Sequence, residues 1–162
     1  MTHLLLEETR RRLFDESIPR LLRCLDMLSE EQLWWRPNER SNSAGNLVLH
    51  LEGNARQWIL SGLLGAPDTR QRQAEFEARA RFSREELKTR LNQLQQDLDA
   101  ALRKVEPADI AAVRDVQIYR ESGMSILIHV IEHFAYHTGQ VAYLTKWLTD
   151  EDTGFYAGQQ LG

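Results

Sequence analysis

A chain of 162 residues with 42% hydrophobic and 27% charged side chains is composed like an ordinary globular protein, without the charge or Pro/Gly excess of a disordered one. Its formal net charge of −4 offers no broad attraction to nucleic acid or to anionic lipid, which sets both aside as partners. A lone cysteine, Cys24, excludes an intramolecular disulfide, and no apolar run reaches signal-peptide or membrane-span length. A single cytoplasmic domain over residues 1–162 is therefore expected.

The first predicted helix runs from about Leu4 to Leu28, where Phe14, Ile18, Leu21, Leu25 and Leu28 recur at helical spacing. Pro19 lies inside it and predicts a kink or break near Ser17. Arg10-Arg11-Arg12 is followed by Asp15 and Glu16 and reads as a solvated face. Cys24 sits among Leu21, Leu22, Leu25 and Leu28, the setting of a small buried hydrophobe rather than of a nucleophile. Ser29 and Gln32 form a capping box for a short turn that Arg36-Pro37-Asn38 ends. Trp34 and Trp35 are expected to plug the space between the first and second helices, with a substrate pocket as the competing role.

The second helix is expected to start near Ser41, Asn42 or Ser43 and to run to about Leu63, before Gly65 and Pro67. Residues 66–82 are charged and read as a loop with one helical piece. Ser83 and Glu86 open the third helix, whose stripe of Leu87, Leu91, Leu94, Leu98, Ala101 and Val105 is closed by Pro107. Residues 107–121 lack periodicity, with Val113, Val116 and Ile118 as points of attachment. The fourth helix spans about Ser122–Ser125 to Leu148, and a glycine-containing tail follows with Phe155-Tyr156 as an anchor. Four amphipathic helices predict an all-α four-helix bundle.

His129, His133 and His137 fall on the fourth helix at steps of four, which turn by only about 40° each, so all three share one face with Ile126, Val130 and Val141. Neutral imidazoles at i and i+4 reach a common ion, and His50 on the second helix can supply a third ligand. Packed histidines with carbonyl or water partners are the competing reading. Asn46 and Asn54 lie one turn either side of His50, where uncharged amides suit a polar pocket and can bond a second imidazole nitrogen or a ligand. Phe134 stands where the zinc-protease helix motif has its glutamate, so peptide hydrolysis has no motif support, and Glu132 points toward the surface. The back of this helix, with Leu127, Ile128, Ile131, Ala135 and Ala142, is also apolar, which predicts a homodimer interface or coverage by residues 107–121.

Two blocks, LSEEQLWWRPNERSNSAGNLVLHLEGNARQWI (Leu28 to Ile59) and HVIEHFAYHTGQVAYLTKWL (His129 to Leu148), resemble the DinB/YfiT-like superfamily. The resemblance implies a DinB-like four-helix bundle, often dimeric, with a three-histidine site for a divalent ion at His50, His133 and His137. Gly139 and Gln140 complete the family's block on the fourth helix. His129 is outside that pattern and is expected to be either a packed neighbour or, like Asn54 and Gln140, a group that orients ligands or substrate. The resemblance further implies a metal-dependent enzyme with a small-molecule substrate, either a transferase using a low-molecular-weight thiol or a hydrolase. A non-enzymatic binding module is the alternative. Zinc or nickel comes first as the ion, although imidazole also suits copper and iron; no residue is assigned as a catalytic base.

Overall fold

A computed structural model describes residues 2–160. Helix α1 covers residues 2–27, α-helical over Thr2–Arg10 and Ile18–Met27 and π-helical over Arg11–Ser17. A short helix α2, Glu30–Trp34, precedes α3, residues 44–63, which is α-helical over Ala44–Ala55 and π-helical over Arg56–Leu63. Then come α4 (Arg72–Glu77), α5 (Arg84–Leu102), α6 (Pro107–Ala111), an antiparallel hairpin of β1 (Val113–Val116) and β2 (Tyr119–Ser122), and α7 (Gly123–Thr149). The expected all-α bundle is formed by α1, α3, α5 and α7, with α7 packed between α1 and α3 and α5 on the opposite side of the same pair.

Local chemistry sets these boundaries. Ser29, Ser43 and Ser83 each cap a helix through a reciprocal box with Gln32, Asn46 and Glu86, and Ser122 caps α7 by accepting from the Ser125 N–H. Each such cap stabilises its helix by about 1 kcal/mol. Asp150 ends α7 in the left-handed region at φ 55°.

Pro19 does not break α1. The π-helical turns just before it shift the bonding, so that the Ile18 N–H reaches the Leu13 carbonyl, and the chain absorbs the missing donor without stopping. Pro107 opens α6 instead of closing α5, because its fixed φ suits a first helical turn. The attachment expected of residues 107–121 is made by Val116, which is buried against Gly62, while Ile118 is 91% exposed at the hairpin tip and Val113 is also exposed. The arginine run is a solvated face: Arg11 and Arg12 bond Glu8, and Arg10 bonds Asp99.

The core follows the predicted stripes. Ile18, Leu21, Cys24 and Leu25 of α1 and Leu87, Leu91, Leu94 and Leu98 of α5 are fully buried in one cluster, and Leu13 is buried where Phe14 was expected, Phe14 being only partly so. Of the tryptophan pair, Trp34 packs on Gly45 and donates its indole N–H to the Phe82 carbonyl at 3.0 Å, whereas Trp35 is exposed. Among the described residues no helix is long and apolar enough to cross a membrane.

Candidate metal centre

The polar face of this core lies between α3 and α7. Helix α3 places His50 there, buried, and α7 places His133 and His137 one turn apart. One ring nitrogen from each lies within 4.8 Å of the others, so the three are placed to hold one ion. The ring centroids are 4.9 Å apart for His50 and His133, 5.1 Å for His50 and His137, and 4.5 Å for His133 and His137.

His50 Nε2 and His133 Nε2 face each other at 2.9 Å. Two bare lone pairs at that distance repel, so either one nitrogen carries a hydrogen or both face a shared cation. Ligand nitrogens on one tetrahedral zinc stand about 3.3 Å apart, given bonds of roughly 2.0–2.1 Å, a separation that falls between the 2.9 Å of this pair and the 4.8 Å that bounds the group.

Electrostatics favours neutral rings at His133 and His137. Burial, followed by the proximity of His137, His50, His129 and Arg70, depresses the His133 pKa to about 3. Burial also lowers that of His137, with His50 adding to it and a Gln140 hydrogen bond opposing. An imidazole ligates only when unprotonated, so the fold keeps these lone pairs available at neutral pH.

The outer nitrogens of His137 and His50 are held by groups that fix those two rings. Gln140 Oε1 accepts from His137 Nδ1 at 2.6 Å, which leaves Nε2 as the free lone pair. Glu75 Oε2 lies 3.0 Å from His50 Nδ1, and Arg70 clamps the same carboxylate with Nε to Oε1 at 2.7 Å and Nη2 to Oε2 at 2.8 Å. Arg70 Nη2 also stands 3.0 Å from His50 Nδ1. Since guanidinium only donates and carboxylate only accepts, Nδ1 either donates to Glu75 or accepts from Arg70. The first choice directs the Nε2 lone pair at His133 and His137 and reproduces the carboxylate–histidine–metal arrangement. Burial alone would raise the Glu75 pKa, but the Arg70 and His50 hydrogen bonds prevail and hold it below the ordinary carboxylate range.

Sequence reasoning missed Glu75 and Arg70, which belong to the segment expected to be a charged loop. Two signals mark their seat. Asn46, expected to bond an imidazole nitrogen or a ligand, bonds no imidazole among the described residues; its Nδ2 donates to the Glu75 and Ala78 carbonyls at 2.8 and 3.0 Å, and its Oδ1 accepts from Arg36 and Ser43, so it fastens the segment bearing Glu75 onto α3. Gly53, one turn beyond His50, leaves room for the carboxylate: a Cβ there would lie 2.1 Å from Glu75 Oε1. A glycine within a helix beside a histidine is the mark of such a close approach.

The other sequence candidates separate. His129 stacks on Trp58 with ring centroids 3.6 Å apart and lies 5.3 Å from His133, outside the group of three. Asn54 is buried and its Oδ1 has no partner among the described residues. Glu132 is exposed, as its helical angle predicted.

Residues 3–156 match the family described as a protein of unknown function, DUF1572. The chain belongs to the DUF1572 family. Two solved structures share its fold: a DinB-like protein from Bacillus cereus ATCC 10987, with a TM-score of 0.67, 18% identity and coverage of 83% of this chain and 87% of that one, and the DinB-like protein YjoA of Bacillus subtilis, with a TM-score of 0.67, 15% identity and coverage of 87% and 92%. No curated protein matches the chain significantly. This DUF1572 member is thus DinB-like in fold, in accord with the resemblance of its histidine blocks.

Proposed function

We propose that the protein is a metal-dependent enzyme in which His50, His133 and His137 hold a divalent ion, zinc or nickel foremost, and that its substrate is a small molecule, most concretely a low-molecular-weight thiol in a transfer reaction. The observation that carries this reading is the convergence of three imidazole nitrogens within 4.8 Å, with burial disfavouring protonation of His133 and His137 and with Glu75 and Gln140 steering the outer nitrogens of His50 and His137. A divalent ion held by three protein ligands supplies Lewis acidity at its open positions, where a thiol or a water becomes a nucleophile near neutral pH. Within that frame His50 is the buried ligand, while His133 and His137 are half-buried. Hydrolysis through bound water is the second catalytic reading, and passive ion binding is the non-enzymatic one.

The partner proposed for the outer face of α7 is a second copy of the chain. Leu127 on the back of the helix is buried within the chain, but Tyr136, Tyr143 and Trp147 are 65%, 65% and 67% exposed along one side of the same helix. Aromatic side chains of this kind anchor interfaces.

Cobalt exchanged into the site tests the chemistry. Titration with small thiols is expected to produce a sulfur-to-metal charge-transfer band that requires His50, His133 and His137. If thiols leave the cobalt spectrum unchanged while water or carboxylates perturb it, the thiol reading fails and hydrolysis or passive binding takes its place.

A further inference from the structure

Between α3, α5 and residues 66–75 lies a cleft of about 450 Å³ that no histidine lines. Four arginines, Arg56, Arg70, Arg81 and Arg90, meet three carboxylates there, Glu52, Asp68 and Glu75. Every one of those carboxylate oxygens already accepts a hydrogen bond. Glu52 takes them from Arg56 Nε at 3.2 Å and Arg90 Nε at 2.6 Å, and Asp68 from Gln57 Nε2 at 2.6 Å and the Arg70 backbone N–H at 3.0 Å. Glu75 is held by Arg70 through both oxygens. The cationic donors are not used up. Among the described residues Arg81 forms no hydrogen bond or ion pair, and Arg90 commits only its Nε, so both of its Nη groups are free. Both guanidiniums stand over the Phe82 ring, 5.4 and 5.0 Å from its centroid. Arg81 is exposed and the Arg90 side chain is 41% exposed, so these free N–H groups reach the open cleft.

We propose that this cleft binds a small molecule carrying a carboxylate on an apolar body, with Arg81 and Arg90 as the cations that take the carboxylate. Guanidinium only donates, and its planar fork matches the two oxygens of a carboxylate, so charge-assisted bonds form without disturbing an existing pair. A cationic ligand would meet the free guanidiniums and no uncommitted carboxylate. The apolar body has its own wall in Leu60, Ala66, Pro67 and Ala74, and a concave site with apolar lining and a few convergent polar groups is the usual form of a small-molecule pocket. Solvated arginines on a convex surface would offer neither the wall nor the enclosure. The cleft shares Arg70 and Glu75 with the metal centre but none of its three histidines, so carboxylate binding here does not rest on the metal-site reading.

Sodium benzoate at pH 7 is a suitable probe, with benzyl alcohol as its neutral counterpart, benzylamine as the cationic one and acetate as the carboxylate without a body. Isothermal titration calorimetry at constant ionic strength gives the affinities, and metal-free protein keeps the carboxylate from binding an ion at the triad. Benzoate is expected to bind saturably at one site per chain, and each of the other three more weakly by about tenfold or more. Arg81→Glu is expected to weaken benzoate by about tenfold or more as well, because it replaces a donor with a like charge. Arg81 bonds nothing among the described residues, so its substitution spares the fold, which thermal unfolding checks. Arg120→Glu makes the same change of charge on β2, outside the cleft, and is expected to leave the affinity as in the parent. No saturable heat from benzoate, equal binding of benzyl alcohol, benzylamine or acetate, or equal losses in Arg81→Glu and Arg120→Glu each overturn the proposal. The comparison among the four probes needs no variant and therefore does not depend on how a substituted chain folds.

Discussion

Gly53→Ala separates the steering of His50 from the stability of the fold. The added Cβ would stand 2.1 Å from Glu75 Oε1, 2.9 Å from Cδ and 3.0 Å from Arg70 Nε. Ordinary contact requires about 3.4 Å or more, so the carboxylate must withdraw by about 1 Å. Where Oε2 moves away from His50 with the rest of the carboxylate, the Glu75–His50 hydrogen bond, 3.0 Å long, opens to about 4 Å and is lost. Losing the group that orients a ligating histidine weakens metal binding by about 10–100-fold, which is about 1.4–2.8 kcal/mol. Folding stability is expected to change less, because alanine favours a helix over glycine by about 1 kcal/mol and offsets part of the disturbed Arg70–Glu75 pair. Competition titration of zinc against a chromophoric chelator gives the affinity, and thermal unfolding of the metal-free protein gives the stability. Wild-type zinc affinity in Gly53→Ala would show that Glu75 does not steer His50. A loss of affinity matched by a collapse of the metal-free fold would show that the effect is structural.

Three further outcomes are expected. His50→Ala, His133→Ala and His137→Ala each abolish or gravely weaken uptake of one ion per chain, measured by metal analysis after purification without nickel resin, while His129→Ala weakens it far less; equal losses in all four remove the assignment. In the metal-free protein, His133 has its pKa lowered to about 3 from an unfolded value near 6.5, so the unfolded chain binds the proton first as pH falls. Its contribution to stability is therefore complete above about pH 6.5 and is lost progressively toward pH 3, and thermal unfolding of His133→Ala across that window is expected to show a shallower pH dependence; an unchanged slope contradicts the electrostatic reading. Light scattering is expected to give twice the chain mass of 18.8 kDa, with Trp147→Glu shifting the population toward monomer, and a mass of one chain across micromolar concentrations refutes the dimer.

Periodicity and capping are properties of neighbouring residues, and these were legible in the sequence. The stripe from Leu87 to Leu98, the boxes at Ser29 and Ser83, and the shared face of His129, His133 and His137 follow from 3.6 residues per turn, and each is present in the fold. The choice of His133 and His137, rather than His129, to join His50 came from family resemblance, since spacing along one helix relates His133 to His129 as closely as to His137. Tertiary structure decided what depends on approach between distant segments. It brought Glu75 to His50 across 25 positions, Asn46 to the loop carbonyls and Arg70 to the carboxylate, none of which leaves a periodic trace. It also turned residues 113–122 into a hairpin, because Val116 finds its burial against Gly62 of another helix rather than within its own segment. The sequence by itself determined which faces are apolar and about where the four bundle helices begin; the packing of those faces alone determined which imidazole nitrogens meet and which carboxylate steers them.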